Sequence, residues 1–222
     1  MPQLEIAIET LADAVAAQQG GANSIEISRD LSVGGLTPDF DLVRRIRDAV
    51  QIEVNVIVRP HARDFVYTER EFTQILEDTR ALAQLGIDGV VFGALRPDRR
   101  LDLDLVRQVA QAAAPLPLTV HRALDESVEP EQALAGLIGV APRILTSGPA
   151  LTAWAGRLAL AQWVRDYGDR LKFVAAGSLT LAMLPEMLKL VRAHGYHFGS
   201  AARTGGGVDA DKVRGLRALV IG

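Results

Sequence analysis

Hydrophobic and polar positions follow one pattern that repeats along the whole chain. Short apolar, β-branched runs alternate with helix-length segments whose apolar residues recur at spacings of three and four. We predict eight strands, each followed by a helix, at residues 4–8, 24–28, 53–60, 89–95, 117–124, 143–148, 172–179 and 197–202. Eight regular units in 222 residues favour a closed barrel of parallel strands over an open doubly wound sheet. The prediction is a single α/β domain over residues 1–222, a (β/α)8 TIM-type barrel.

Three segments carry residues that are typical of helix starts. Thr68 is followed three residues later by Glu71, Asp102 follows a Pro-Asp turn, and Thr37 precedes Pro38. We therefore expect helices to begin just after Thr68, just after Asp102 and at the Thr37-Pro38 step.

Polar residues occupy every second position in several of these strands. In the third strand Asn55 and Arg59 share one face and three valines share the other. Helices pack on the outer face of a parallel barrel, so the apolar set must point outward and the polar set inward. The same alternation places Glu5, Glu26 and His121 inside the barrel. Such charges form either a functional pocket or a structural ion-pair network in which the two glutamates balance Arg59.

Position along each strand separates these two roles. Barrel active sites lie at the carboxyl ends of the strands, so we expect Arg59 and His121 to be functional and Glu5 to be structural. Asp125 either orients the His121 imidazole or belongs to the rim loop. By strand alternation, Arg122 is expected to point outward unless the strand bends.

Small and polar residues follow the last three strands. Thr146 and Ser147 end the sixth, Gly177 lies at the end of the seventh and Ser200 at the end of the eighth. Loops after strands seven and eight of such barrels often bind phosphate through backbone N–H groups, although glycines also serve tight turns. The segments at 34–38 and 64–67 are candidate lids, and their aromatic residues could equally serve in surface packing.

Composition excludes several classes of protein. The chain has no cysteine, which excludes disulfides, thiol catalysis, Cys-zinc sites and iron–sulfur clusters. A net charge of -3 gives no overall electrostatic attraction to nucleic acid or to an anionic membrane. None of the three lysines falls at the carboxyl end of a strand, which argues against Schiff-base chemistry. The chain shows no signal-like start and no bilayer-length apolar run, so we expect a cytoplasmic protein.

No residue spacing marks a metal site. His194 and His197 are expected near the start of strand eight, at the rim opposite the site, where a His-x-x-His pair without further ligands is poor evidence for metal. A divalent ion held by Glu26 and His121 is the one metal-assisted arrangement that the strand pattern suggests.

Seven collinear segments of the chain carry a resemblance to a known family: LEIAIETLADAVAAQQGGANSIEI, GGLTPDFDLV, VNVIVRPHARDFVYTEREFTQILEDTR, DGVVFGAL, PLTVHRALDE, RILTSG and FVAAGS. Together they resemble the CutC family of copper homeostasis proteins, and the likeness weakens after about residue 200. The resemblance implies a barrel close to the (β/α)8 type, a cytoplasmic and often oligomeric protein, and a role in copper handling without an established reaction. The site residues it implies are Glu26, Arg59, Asp64, His121, Arg122, Asp125, Thr146, Ser147 and Gly177.

Two departures from the family pattern change what the resemblance implies. Ala62-Arg63 replaces a Gly-Gly pair after Arg59-Pro60, which adds bulk and charge at the expected mouth of the site. Ser28 stands where members often have cysteine, and the copper role depends on such cysteines. Cu(I) prefers thiolate and thioether ligands, and here only histidines and a few methionines remain. Copper is therefore expected as a cofactor from the resemblance alone, and no other cofactor is expected.

Three hypotheses about function follow. The first is a CutC-like protein that binds a metal or a metal-linked small molecule without catalysis. The second is an enzyme acting on a small phosphorylated or carboxylated metabolite, with Arg59 as anion clamp, His121 as general acid or base, and Glu26 sharing protons. The third is a scaffold that acts through the interface of a homo-oligomer.

Overall fold

Eight parallel strands close into a barrel in the computed structural model, which describes residues 1–221. The strands follow one another in chain order around the ring, and β1 closes it against β8. Their bounds are β1 Gln3–Ile8, β2 Ser24–Ile27, β3 Glu53–Ile57, β4 Gly89–Phe92, β5 Leu118–Val120, β6 Arg143–Thr146, β7 Lys172–Ala175 and β8 Gly195–Phe198. The predicted (β/α)8 barrel is confirmed. Gly222, the last residue of the predicted domain, lies outside the described residues.

A helix follows each strand. The bounds are α1 Leu11–Gln19, α2 Phe40–Ala49, α3 Glu69–Ala83, α4 Leu103–Ala113, α5 Pro130–Leu137, α6 Arg157–Tyr167, α7 Leu184–Leu190 and α8 Ala210–Ile221. No helix within residues 1–221 combines the length and the apolar character needed to cross a bilayer.

Two of the three predicted helix starts are confirmed. The Thr68 side chain accepts from the Glu71 N–H while Glu71 bonds back to Thr68, a complete capping box at α3, and Asp102 caps α4. The expectation at Thr37-Pro38 is wrong, because Asp39 caps α2 through the N–H of Leu42. The Thr37 hydroxyl instead accepts a hydrogen bond from the Arg59 N–H.

Several strands are shorter than predicted, because the chain turns away from the sheet soon after the last residue that pairs with a neighbouring strand. The eighth strand is also displaced: it begins at Gly195, and the predicted residues 200–202 form a 3-10 helix instead. This shift moves His197 from the start of the strand to its third position.

The apolar residues form two separate layers. The larger packs the outer face of the strands against the helices and includes fully buried Ile6, Phe92 and Trp163. A small inner cluster of Leu145, Val174 and Ala176 lies on the barrel-facing side of β6 and β7. The rest of the interior is largely polar, as the strand alternation predicts.

A short hairpin that the sequence pattern did not predict precedes α8. Its strands are β9 Arg203–Thr204 and β10 Gly207–Val208, joined by a Gly-Gly turn. The Arg203 guanidinium donates to the Ala7 carbonyl and pairs with buried Asp13, which also accepts from the Val208 N–H. The hairpin is thereby tied to the carboxyl end of β1 and to α1.

Candidate functional site

A cavity of about 840 Å³ opens at the carboxyl end of the barrel. Of the ten predicted site residues, seven lie in its wall: Glu26, Arg59, His121, Arg122, Asp125, Gly177 and Ser200. The other three, Asp64, Thr146 and Ser147, do not line it. The cavity therefore brings together most of what strand alternation and rim position had selected.

Below this cavity, Glu5 is bound by four donors from four strands. Its Oε2 accepts from Ser24 Oγ at 3.1 Å, Asn55 Nδ2 at 3.1 Å and Arg143 Nη2 at 2.7 Å, and its Oε1 lies 2.9 Å from His197 Nδ1. Burial alone would raise the pKa of Glu5, but Arg143 and the His197 hydrogen bond outweigh it and lower the pKa to about 2. Glu5 is thus an ionised carboxylate that ties the strands together.

The balancing cation of this network is not the one expected. The ion-pair alternative matched Glu5 and Glu26 with Arg59, whereas the structure pairs Glu5 with Arg143. Arg143 is the first residue of β6, and it shares the inward face with Leu145, so the same alternation rule could have found it. Its second donor, Nη1, bonds Thr119 Oγ1 at 3.2 Å.

Glu26 is the unpartnered acid of the interior. It is 5% exposed, and no group within residues 1–221 satisfies its buried Oε2. Burial, reinforced by the charge of Glu5, raises its pKa. One potential ligand atom each from Glu5, Glu26 and His197 lies within 4.8 Å of the other two.

His197 is the main site residue that the sequence pattern missed. We expected it at the opposite rim, but because β8 begins at Gly195 its side chain points into the barrel and lines the cavity. Burial would lower its pKa, yet the hydrogen bond to Glu5 and the charge of Glu26 raise it instead. The sequence signal that could have placed it inside is that His197 shares its strand face with Gly195 and Gly199, opposite the apolar face.

Arg59 is an almost fully buried cation in the cavity wall. Its Nη1 donates to the carbonyls of Val33 at 2.8 Å and Gly35 at 3.2 Å, and its guanidinium lies 4.7 Å from the centre of the Phe65 ring. No carboxylate of residues 1–221 forms an ion pair with it, and its Nε has no partner there. Arg59 thus holds the loop after β2 and keeps an uncompensated positive charge.

His121 lies beside it as a neutral imidazole. Its Nδ1 accepts from the Ala123 N–H at 3.2 Å, and its buried Nε2 has no partner in the described chain. Burial, and then the charge of Arg59, lowers its pKa to about 3. Because Nδ1 accepts, the neutral ring carries its proton on Nε2, which can donate a hydrogen bond to a ligand, and the ring is a weak base.

Asp125 organises the β5–β6 rim rather than the His121 ring. Its carboxylate accepts from Arg122 Nε at 2.9 Å, from Ser147 Oγ at 2.6 Å, and from the Thr146 hydroxyl. Burial raises the pKa of Asp125, although these hydrogen bonds oppose the shift. Thr146 and Ser147 therefore stand behind the cavity wall and fix Asp125.

Arg122 does not point outward, because the chain bends before it, which is the exception that the sequence left open. Strand β5 ends at Val120, and the chain turns into a 3-10 helix at Leu124–Glu126, which releases Arg122 from strand alternation. Its guanidinium reaches the Leu151 carbonyl at 2.9 Å and lines the cavity.

The remaining candidates occupy the rim loops. Asp64 is exposed outside the cavity, where its carboxylate accepts from the Val66 N–H at 3.1 Å. Phe65 is buried in the cavity wall and lies 4.8 Å from the His121 ring, and Tyr67 stacks on Phe92. These aromatic residues act as packing groups. Ser200 begins the 3-10 helix after β8.

Comparison with known proteins gives a consistent result. The model of the CutC family matches residues 2–201. The chain belongs to the CutC family. A CutC family protein from Mesorhizobium japonicum is 38% identical over 201 residues, which are 90% of this chain and 78% of the relative. One from Chromobacterium violaceum is 40% identical over 169 residues, 76% of this chain and 68% of the relative.

Among solved structures, a CutC protein from Streptococcus agalactiae superimposes with a TM-score of 0.84. It shares 23% identity and covers 90% of this chain and 99% of its own. That protein is described, provisionally, as a copper homeostasis protein. At this identity the likeness supports the barrel fold of the CutC family and no residue-level role.

Proposed function

We propose that this CutC-family protein serves copper homeostasis by binding a small polar ligand in the barrel cavity. One observation carries the proposal: three buried polar atoms of the cavity wall, Glu26 Oε2, Arg59 Nε and His121 Nε2, have no partner within residues 1–221. A desolvated polar atom without a partner costs about 1–3 kcal/mol, and a ligand that satisfies all three recovers that cost. The copper role itself comes from the family.

The donor set of the cavity does not suit Cu(I). The chain has no cysteine, and none of its three methionines lines the cavity. Carboxylate and imidazole groups suit divalent ions instead. We therefore infer that copper reaches this cavity as part of a ligand or as a divalent ion, and not as Cu(I) held by sulfur.

A second candidate function is an enzyme acting on a small anionic metabolite, and Arg59 favours it. A buried guanidinium without a carboxylate partner is suited to bind a phosphate or carboxylate group. With its pKa near 3, His121 suits hydrogen bonding to that ligand better than proton transfer. Glu26, whose pKa is raised, is the better proton donor of the wall.

The test measures both ligand classes on one set of variants. Inorganic phosphate and citrate are titrated calorimetrically into the wild type, Arg59→Met and Arg63→Met, and Cu(I) is titrated against a chromophoric chelator. Arg63 is exposed on the same loop, so its variant controls for loss of a surface charge. We expect anion binding that only Arg59→Met abolishes, and no one-to-one competition for Cu(I).

Two outcomes would contradict these proposals. Equal anion affinity in both arginine variants would remove Arg59 from the site. Tight one-to-one Cu(I) binding that His121→Asn abolishes would show that imidazole replaces sulfur ligands, against the ligand argument above.

From the family we propose a cytoplasmic homo-oligomer. The net charge of -3 supports the further proposal that it binds neither nucleic acid nor anionic membranes. Sedimentation velocity on the purified protein tests the assembly, and a monomer at micromolar concentration would contradict it.

A further inference from the structure

The Glu26 carboxyl group has no partner among the described residues. It accepts no hydrogen bond from residues 1–221, although it is 95% buried and faces the cavity. Glu5, by contrast, receives four hydrogen bonds in the same interior. Nothing that the fold requires explains an unpartnered carboxyl group at this position, so a ligand is its natural partner.

His197 is held in the orientation that metal-binding histidines adopt. Its Nδ1 lies 2.9 Å from Glu5 Oε1, which leaves Nε2 as the atom available to the cavity. A ligating imidazole usually donates its other N–H to a carboxylate, which fixes the ring and raises its basicity. Arg143 and Asn55 hold the Glu5 carboxylate in place, so the orientation of the ring is built into the barrel.

We propose that Glu26 and His197 bind one divalent transition-metal ion at the floor of the cavity, with Glu5 as the positioning residue for the imidazole. One side-chain ligand atom of each of the three residues lies within 4.8 Å of the other two, which places the Glu26 carboxyl group beside the His197 ring. A tetrahedral ion needs its ligand atoms about 3.4 Å apart, and the unbonded Glu26 carboxyl group is free to adopt that spacing from the ring. Open coordination positions face the cavity, where water or a bound ligand completes the shell.

The ligand types define the class of ion. One imidazole and one carboxylate suit Zn²⁺, Cu²⁺ or Co²⁺. They disfavour Cu⁺, which prefers sulfur ligands, and Ca²⁺ and Mg²⁺, which prefer oxygen ligands. Arg143 neutralises Glu5, so the negative charge at the site comes from Glu26, whose ionised form a neighbouring divalent cation favours. The site differs from the sequence-based suggestion, which joined Glu26 to His121.

The test uses the full chain after treatment with a chelator. Zn²⁺ is titrated against a chromophoric chelator, Co²⁺ is followed by its visible absorption and Cu²⁺ by electron paramagnetic resonance. We expect one ion per chain, with nitrogen hyperfine structure from a single imidazole, and at least a tenfold weaker affinity in Glu26→Gln. Glu5→Gln, measured under conditions where circular dichroism shows it folded, should weaken binding about 10–100-fold while keeping the imidazole signal.

The variants separate this site from surface binding and from misfolding. Glu26→Gln removes no protein hydrogen bond, so it should fold as the wild type does, and His61→Gln controls for a half-buried histidine outside both the cluster and the cavity wall. Equal Zn²⁺ affinity in wild type and Glu26→Gln would overturn the proposal, as would an imidazole signal that His61→Gln removes. Anion binding that depends on Arg59 is measured separately and can fail or succeed without this site.

Discussion

His197 Nδ1 lies 2.9 Å from Glu5 Oε1, although the two residues stand 192 positions apart in the chain. They are register partners on β1 and β8, the two strands whose pairing closes the barrel. Arg143 of β6 reaches the same carboxylate at 2.7 Å. One carboxylate thus joins the first strand of the barrel to the sixth and the eighth, so its loss should destabilise the whole fold.

Glu5→Gln should destabilise the protein by about 3–5 kcal/mol, because it leaves the buried charge of Arg143 without its partner. Denaturation in urea measures the change. Glu126→Gln is the matched control, since its ion pair with Arg99 is about half exposed and should cost at most about 1 kcal/mol. Equal costs in the two variants would mean that the interior network adds no more than a surface pair.

The same carboxylate should govern stability in acid. Its pKa is lowered from 4.5 to about 2 in the fold, so the native state binds fewer protons than the unfolded chain between those values. Its stabilisation is therefore complete above about pH 4.5 and is lost as the pH falls toward 2. Urea denaturation at a series of pH values should give a shallower acid slope for Glu5→Gln, and identical slopes would contradict the assignment.

Much of this interior could be predicted, because a strand has a period of two and a parallel barrel needs an apolar outer face. That rule alone placed Glu5, Glu26, Asn55 and His121 correctly inside. It worked wherever the residue lies within a strand, since there the backbone fixes the direction of the side chain.

The rule failed where strands start or end. His197 was misplaced because the start of β8 was set two residues late, and Arg122 because β5 ends before it. Alternation could have placed Arg143 inside the barrel, but its pairing with Glu5 could not be derived, because neighbours across a closed barrel depend on register and on side-chain reach. The hairpin at 203–208 has strands of two residues, too short to leave a periodic signal.

His121 should stay neutral across the physiological pH range. Its pKa is lowered from 6.5 to about 3, first by burial and then by the charge of Arg59. Protonation is therefore disfavoured in the fold, and this group's contribution to stability falls as the pH drops from 6.5 toward 3. Nuclear magnetic resonance of the imidazole C–H groups should show no titration of His121 between pH 5 and 8, and a midpoint near 6.5 would contradict this.

Phe65→Ala should affect both neighbours of that ring. Phe65 lies 4.7 Å from the Arg59 guanidinium and 4.8 Å from the His121 ring, and it is 8% exposed. Its removal should cost about 3–5 kcal/mol and admit water, which raises the pKa of His121 toward 6.5. Urea denaturation and the same resonance titration measure the two effects. Phe65→Leu should retain most of the stability, and an unchanged His121 titration in Phe65→Ala would show that the ring does not exclude water.

Gly177→Ala should disturb the rim more than the same substitution does at a positive-φ glycine with open space around it. Gly177 has φ +106, and a Cβ there would lie 3.1 Å from Ser147 Cβ and 3.5 Å from the Arg122 guanidinium carbon. Backbone strain of about 1–3 kcal/mol therefore adds to displacement of the residues that bind Asp125. Gly139, with φ +79 and open space around it, gives a control in which alanine meets only the backbone penalty of about 1–2 kcal/mol. Urea denaturation should rank Gly177→Ala as the costlier variant. Equal losses of stability in the two variants would mean that Ser147 and Arg122 move away from the new Cβ at no cost. The close packing of the loop after β7 would then not fix their positions.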